Sequence, residues 1–292
     1  FDDIAVFNAE ARTPENLMEM LHLAINAALT KRGVAHISIP SDVMLQKETS
    51  FPLPVPVTEH DAVITPSAAS LEEAAKAINA AKRPMILYGE GSRDAAAEVV
   101  ALSEKLQAPL IHTTRSKDII DNRHPNVLGG IGIMGAHPSN HALHQGDLLI
   151  VIGSNFAWRA FYPAGVPIVK IDCDPIHLAT HIPVTHPILG DAKIAVTELA
   201  DRLDQRDDDS FLAKSRKPFV KMIDEYTFKA KKTKPGKPLH PAAVVDGIAQ
   251  NLTDDAIVCG DSGSTTIWFN NIAMLNGTQR FLWSANLATL GG

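Results

Sequence analysis

Cysteine is nearly absent from this 292-residue chain, with only Cys173 and Cys259 present. Two thiols cannot build the disulfide framework of a small secreted scaffold, and they favour a reducing, cytoplasmic setting. An excess of positive charge is also lacking. The formal net charge is -6, which argues against a general nucleic-acid-binding surface. No apolar run approaches the roughly 20 residues of a spanning helix, and no signal peptide opens the chain. What is present is an ordinary globular composition, 45% hydrophobic and 21% charged. The length suits about two average domains, and such a chain buries enough apolar surface to need no disulfide or metal staple.

Both ends are abrupt. Phe1 lies one short strand before a well-started helix, and Leu290-Gly291-Gly292 follow directly on what reads as a buried strand and turn. The sequence therefore reads as a fragment of a longer polypeptide.

The first fifty residues read as the tail of one α/β unit. Thr13 is a good N-cap, Pro14 suits the first helical position, and Glu15 complements the helix dipole. Leu17, Met20, Leu21, Ala24, Ile25 and Ala28 recur at helical spacing, and Val34 to Ile39 is a strand. The proline-rich stretch 51–57 cannot donate regular ladder bonds, so residues 46–61 are expected to be a linker. From 62 to 205 strands and helices alternate, with Pro84–Tyr88, Asp147–Ile152 and Val166–Ile171 as continuous apolar runs. That pattern predicts a doubly wound parallel sheet with strands buried on both faces. Residues 206–239 form a polar helix and a basic connector, expected as a second linker. A third unit, 240–292, begins at His240-Pro241.

Several motifs compete for function. Gly130-x-Gly132-x-x-Gly135 has dinucleotide spacing but no evident strand before it, and Gly89-Glu90-Gly91 follows a strand but has Asp94 where a third glycine belongs. Neither makes an ordinary NAD fingerprint. The ends of the strands closing at Gly153 and Asp172 are more informative, because ligands of open α/β sheets sit beyond the carboxyl ends of strands. Ser154-Asn155-Phe156-Ala157-Trp158-Arg159 and Asp172 would converge there, with Asp172 accepting a ribose hydroxyl and Arg159 pairing with phosphate. Asp174 reads better as a helix cap. His137, His141 and His144 resemble a metal stripe, yet Pro138 would leave His137 outside the helix and no further ligand lies nearby, so no metal site is expected. Gly260-Asp261-Ser262-Gly263-Ser264 has the look of a protease nucleophile loop in the wrong setting. A glycine turn at a helix start, with Ser264, Thr265 and Thr266 adding hydroxyls, is instead a ready phosphate site.

Taken together, Gly153 to Pro163 with its Arg-Ala-Phe-Tyr-Pro ending, Ile171-Asp172-Cys173-Asp174-Pro175, Leu189-Gly190-Asp191, and Asp261-x-Gly263 with Trp268 resemble thiamin-diphosphate-dependent enzymes. The similarity is to the branch of flavin-containing pyruvate oxidases and pyruvate:quinone oxidoreductases. The resemblance implies a Rossmann-like central domain at 62–205 that binds FAD. It also implies flanking pieces of thiamin-diphosphate-binding folds, the end of a pyrimidine domain at 1–45 and the start of a diphosphate domain at 240–292. By that similarity FAD contacts Ile131, Gly132, Ile133, Met134, Ser154, Asn155, Phe156, Ala157, Trp158 and Asp172, with Arg159 added on physical grounds. Thiamin diphosphate is expected at Gly263, Ser264 and Thr265, with Asn286, Leu287 and Leu290 under its aminopyrimidine.

The family's activating glutamate would lie before Phe1, and its Gly-Asp-Gly…Asn-Asn magnesium motif after Gly292. The chain is thus expected to hold no catalytic residue and no metal ligand of its own, and to be inactive alone. The implied whole enzyme is a homodimer or homotetramer that oxidatively decarboxylates pyruvate or another 2-oxoacid. Its electrons would go to a quinone or oxygen, with a peripheral membrane tail in part of the branch. Acetolactate synthase, a flavin-free decarboxylase and a non-catalytic nucleotide-binding domain are the rival readings.

Overall fold

The computed structural model describes residues 1–31, 33–47, 63–232 and 236–284. They fall into two compact units, Phe1–Val63 and Ile64–Gly292. The proline-rich stretch and most of the 46–61 segment lie outside the described residues, as do Asn286, Leu287 and Leu290.

In the first unit, β1 (Ala5–Glu10) and β2 (Val34–Ser38) pair in parallel around α1 (Pro14–Lys31), followed by the short α2 (Ser41–Met44). Pro14 opens α1 as expected, since its missing N–H costs nothing at the first helical position. Within α1 only Ala24 is buried, and Leu21 and Ile25 stay exposed. Two strands are too narrow to cover the apolar face that the spacing marks out.

The second unit is built on six parallel strands: β3 (Pro84–Tyr88), β4 (Leu110–His112), β5 (Val127–Gly130), β6 (Leu148–Ile152), β7 (Ile168–Asp172) and β8 (His186–Leu189). Their order is β5-β4-β3-β6-β7-β8. The chain starts in the middle, winds outward to β5, then crosses back to β6 and winds to β8. This is a doubly wound sheet whose winding reverses between β3 and β6.

Strand side chains alternate between two cores. Ile86, Tyr88, Ile150 and Ile152 face α3 (Ala68–Ala80), α4 (Ala96–Leu106) and α7 (Ala192–Ala200), which bring Ile78, Leu102 and Leu199. Met85, Leu87, Leu149 and Val151 face the other side, against Leu143 of α5 (His137–Leu143) and Phe219 of α8 (Ser210–Lys231). Every residue of β3, β6 and β7 is buried, which is why β3 and β6 read as unbroken apolar runs, while β7 also buries Lys170 and Asp172. Two short helices complete this part, α6 (Pro175–Leu178) after β7 and α9 (Pro241–Ala249) further on.

Two expectations need correction, and the expected polar helix gains a packing role. A real strand, β5, precedes Gly130-x-Gly132-x-x-Gly135. It is short and ends in two glycines, so pattern alone does not reveal it. His137 lies inside α5, with Pro138 in the first turn, because proline tolerates the second helical position as well as the first. Within the 206–239 segment, α8 runs for 22 residues and seats Leu212 and Phe219 in the core despite its internal Pro218.

Beyond α9, β9 (Ile257–Gly260) and β10 (Arg280–Trp283) pair in parallel around α10 (Ser264–Ile272). Val245, Phe269, Ala273, Leu275 and Phe281 form a third small core there, with Phe269 stacked on Phe281 at 4.6 Å.

Candidate functional site

The reversal between β3 and β6 is where ligand crevices open in such sheets, but here the opening is closed by glycines. Gly153 has φ +58, and the Gly89 and Gly91 backbones lie directly against it. A Cβ on Gly91 would sit 2.9 Å from Gly153 Cα, and one on Gly89 only 2.8 Å from Ser154 Cα. Gly91 N–H donates to Gly153 O at 2.9 Å, and Gly89 N–H to Ile152 O at 2.9 Å. The Gly89-Glu90-Gly91 turn therefore serves loop-to-loop contact rather than a phosphate, and Glu90 pairs with Arg93 at 2.9 Å.

The polar surface lies to one side of this closure. After Gly153 the chain runs outside any helix or strand through Ser154–Trp158, and among the described residues none of these backbone N–H groups has a protein acceptor. Phe156 anchors the segment. Its ring lies near Phe161 and Tyr162, and its carbonyl accepts from the Tyr162 hydroxyl at 3.0 Å. Trp158 packs against Phe156 at 5.2 Å yet stays 56% exposed, and Arg159 is also exposed.

The loop after β5 meets this segment. Gly132 has φ +91, and a Cβ there would lie 3.0 Å from the Phe156 ring. Asn140 of α5 holds Gly132 from the other side, accepting from its N–H at 2.9 Å and donating to its carbonyl at 3.0 Å. Ile133 is left 75% exposed, and among the described residues neither Ile133 nor Met134 donates its N–H to protein. The Ile131–Met134 loop and the Ser154–Trp158 segment are thus brought together, with unpaired backbone donors on both.

Asp172 ends β7 beside them, linked through Gly153 N–H to Ile171 O at 2.9 Å. Its Oδ1 accepts from Asp174 N–H at 3.0 Å and faces His177 Nδ1 at 3.3 Å. Asp174 caps α6 through Ile176 N–H, as expected. Asp172 therefore supports the same turn with one oxygen while the other has no hydrogen-bond partner among the described residues. Thr180 ties this turn to the aromatic segment by donating to Asn155 Oδ1 at 3.0 Å.

Under the loops lies a buried polar set. His112 at the end of β4 is fully buried, directs Nδ1 to Thr113 O at 2.9 Å and leaves Nε2 without a partner. Burial, assisted by the nearby Lys117 charge, pushes its pKa down to about 3, so the ring is neutral. Burial likewise pushes Lys117 down to about 7, opposed by Asp118. Asp118 is itself enclosed by Arg93 at 2.8 Å, Arg280 at 3.1 Å and the Phe281 N–H at 2.9 Å.

A second candidate lies at the start of α10. Gly263 has φ +143 with open space where a Cβ would go, and no side chain caps the helix. Among the described residues the N–H groups of Ser264, Thr265 and Thr266 have no protein acceptor, so the helix end presents free donors to an anion. The Thr265 and Thr266 hydroxyls are not part of that offer, because both turn back to Asp261 O. The Ser262 hydroxyl donates to Ser284 O rather than to a base, which removes the protease reading.

Residues 71–199, which span this sheet, match the central domain of thiamine pyrophosphate enzymes. The chain belongs to the thiamin-diphosphate-dependent enzyme family. It is 31% identical, over its whole length, to half of a Bacillus subtilis protein named as thiamine pyrophosphate-containing. It is 26% identical over its whole length to 49% of the pyruvate oxidase of Lactiplantibacillus plantarum. It is 28% identical over 99% of its length to 51% of the large subunit of Escherichia coli acetolactate synthase isozyme 1. The chain spans about half the length of these curated relatives.

The two sites fit the groups the family implies. A diphosphate suits the uncapped α10 terminus, and two runs of unpaired amides beside Phe156 and Trp158 offer donors to an extended polar ligand. No group of three or more His, Cys, Asp or Glu able to hold a metal occurs among the described residues. None of the helices among the described residues is long and apolar enough to cross a membrane. Asn140, Tyr162, Thr180, Asn270 and Asn271 also shape the site. Asn270 and Asn271 act on a backbone atom more than 130 residues away, and the partners of Asn140, Tyr162 and Thr180 follow no fixed spacing, so sequence reasoning gave none of the five a role of its own.

Proposed function

We propose that this chain is the flavin-binding core of a thiamin-diphosphate- and FAD-dependent pyruvate oxidase. The observation that carries it is the meeting of Ile131–Met134 with Ser154–Trp158 at the Gly132–Phe156 contact. Bound FAD supplies a two-electron acceptor, and bound thiamin diphosphate a carbon nucleophile toward a 2-oxoacid.

In this reading the chain's own residues bind and orient. Backbone N–H groups of Ile133, Met134 and Ser154 to Trp158 donate to the flavin's polar groups. Phe156 and Trp158 provide aromatic surface, Asp172 accepts from a hydroxyl, and Arg159 neutralises phosphate. Gly263, Ser264 and Thr265 donate to the diphosphate of the second cofactor. Pyruvate loses carbon dioxide, and two electrons leave its two-carbon remainder for a quinone or oxygen. Five units are proposed, at 1–45, 46–61, 62–205, 206–239 and 240–292, in a cytoplasmic homodimer or homotetramer.

The Arg159-Ala160-Phe161-Tyr162-Pro163 segment favours the oxidase over acetolactate synthase, the alternative raised by the Escherichia coli relative. The test is a melt with and without FAD, and a visible spectrum of the isolated protein. FAD at one hundred times its dissociation constant stabilises by about 2.7 kcal/mol, a rise of roughly 5–11 °C for a unit of this size. A colourless protein whose melt ignores FAD, in the full-length protein as well, sinks the flavin reading. Assays with pyruvate then separate the two activities: dye reduction marks the oxidase, acetolactate the synthase.

A further inference from the structure

The loop at Ile131–Met134 is gripped at two points by side-chain amides. Asn140 takes both the N–H and the carbonyl of Gly132. At the other end, Asn270 and Asn271 of α10 both donate to the Met134 carbonyl, at 2.7 and 3.0 Å. Two donors on one carbonyl use both of its lone pairs and fix the Met134–Gly135 peptide, whose own N–H donates to Gly132 O at 3.0 Å. The N–H of Met134 and that of Ile133 are left unpaired between the two grips.

Asparagine is a poor choice inside a helix, because its amide competes for the backbone. Two in succession in α10 therefore point to a purpose outside the helix. Asn270 is buried to 2% exposure and its Oδ1 has no partner among the described residues, where only its donor is used. Asn271 divides its two N–H groups between Met134 O and Ile267 O, the latter at 2.8 Å.

We propose that Asn270 and Asn271 are positioning residues for the flavin. They pin the Met134–Gly135 end of the loop that carries the open Ile133 and Met134 amides, and thereby join the flavin loop to the helix whose other end faces the second cofactor. This rests on the flavin reading above. By this inference FAD affinity depends on side chains more than 130 residues away in sequence, on an element outside the central sheet.

The test measures FAD dissociation constants by flavin fluorescence for this chain and for Asn271→Ala, Asn270→Ala and the double variant. Each is melted without FAD alongside. Phe269→Leu, which loosens the α10 core without touching Met134, is the control. Loss of one such bond should raise the dissociation constant about three- to tenfold, and loss of both should exceed tenfold, while the Asn271→Ala melt moves little. Phe269→Leu should lower the melting temperature and leave FAD affinity within about twofold. Unchanged affinity in the double variant overturns the inference and leaves the flavin reading standing. Affinity that falls equally in Phe269→Leu overturns it as well, since the role is then only structural. Failure of both this chain and the full-length protein, each unsubstituted, to bind FAD overturns the inference together with the reading beneath it, and where only the full-length protein binds, the same variants are titrated in it.

Discussion

Two sets of glycines stand at the same carboxyl edge of the central sheet and do opposite things. At the β3–β6 reversal, Gly89, Gly91 and Gly153 fill the space their missing side chains leave with one another's backbone. At the end of β5, Gly132 lets a loop turn against Phe156 while its neighbour Ile133 stays open to solvent. The residue type says only that something comes close. Whether that is the protein itself or a ligand depends on what the neighbouring strand delivers.

That contrast predicts where substitutions act, beginning with the largest effect. Gly153→Ala combines φ +58 with backbone atoms of Gly91 and Ser92 where its Cβ must go. It should cost about 3 kcal/mol, lowering the melting temperature by roughly 6–12 °C. A melt that barely shifts would break the closed half of the comparison.

His112, on the strand between the two regions, should make the molecule acid-sensitive. Its folded pKa of about 3 lies below the unfolded value of 6.5. The unfolded chain therefore binds more protons between those values, and stability falls as pH drops through that window. The slope is about 1.4 kcal/mol per pH unit. Urea midpoints at pH 6.5 and 4.5 measure it, and His112→Asn should flatten the difference.

Gly132→Ala should cost about 2 kcal/mol of stability, since the Phe156 ring can shift but φ +91 still strains a side chain, and should weaken FAD binding more than tenfold. Equal losses at Gly132 and Gly153 in both assays would erase the distinction. The smallest effect on folding is expected for Trp158→Ala. Its exposed side chain should leave stability within about 0.5 kcal/mol while FAD affinity drops a few-fold in titration.

Much of this was legible along the chain. Pro84–Tyr88 and Leu148–Ile152 announce themselves because burial on both faces demands uninterrupted apolar residues, and Ile168–Asp172 does so with Lys170 and Asp172 as its two buried polar members. β5 does not, because Val127-Leu128-Gly129-Gly130 is short and glycine-rich. It holds as a strand only because β4 offers a partner. The same blind spot hid the strand behind the glycine spacing at 130–135. Asp174 and Asp191 were readable as helix starts because capping is a local bond, made at Ile176 and Lys193. Asn140, Asn270 and Asn271 were not, because an asparagine's partner can be any nearby carbonyl or N–H.

By itself, then, the sequence determined the alternation of strands and helices, the helix starts and the family to which the chain belongs. Those follow from local periodicity, capping chemistry and short motifs. Only the tertiary structure decided which glycines close on each other and which stay open. It alone also turned Thr265 and Thr266 inward to Asp261 and brought α10 onto the Met134 carbonyl. The glycine closure and the α10–Met134 contact join residues far apart in sequence, and no local rule of propensity or spacing encodes them.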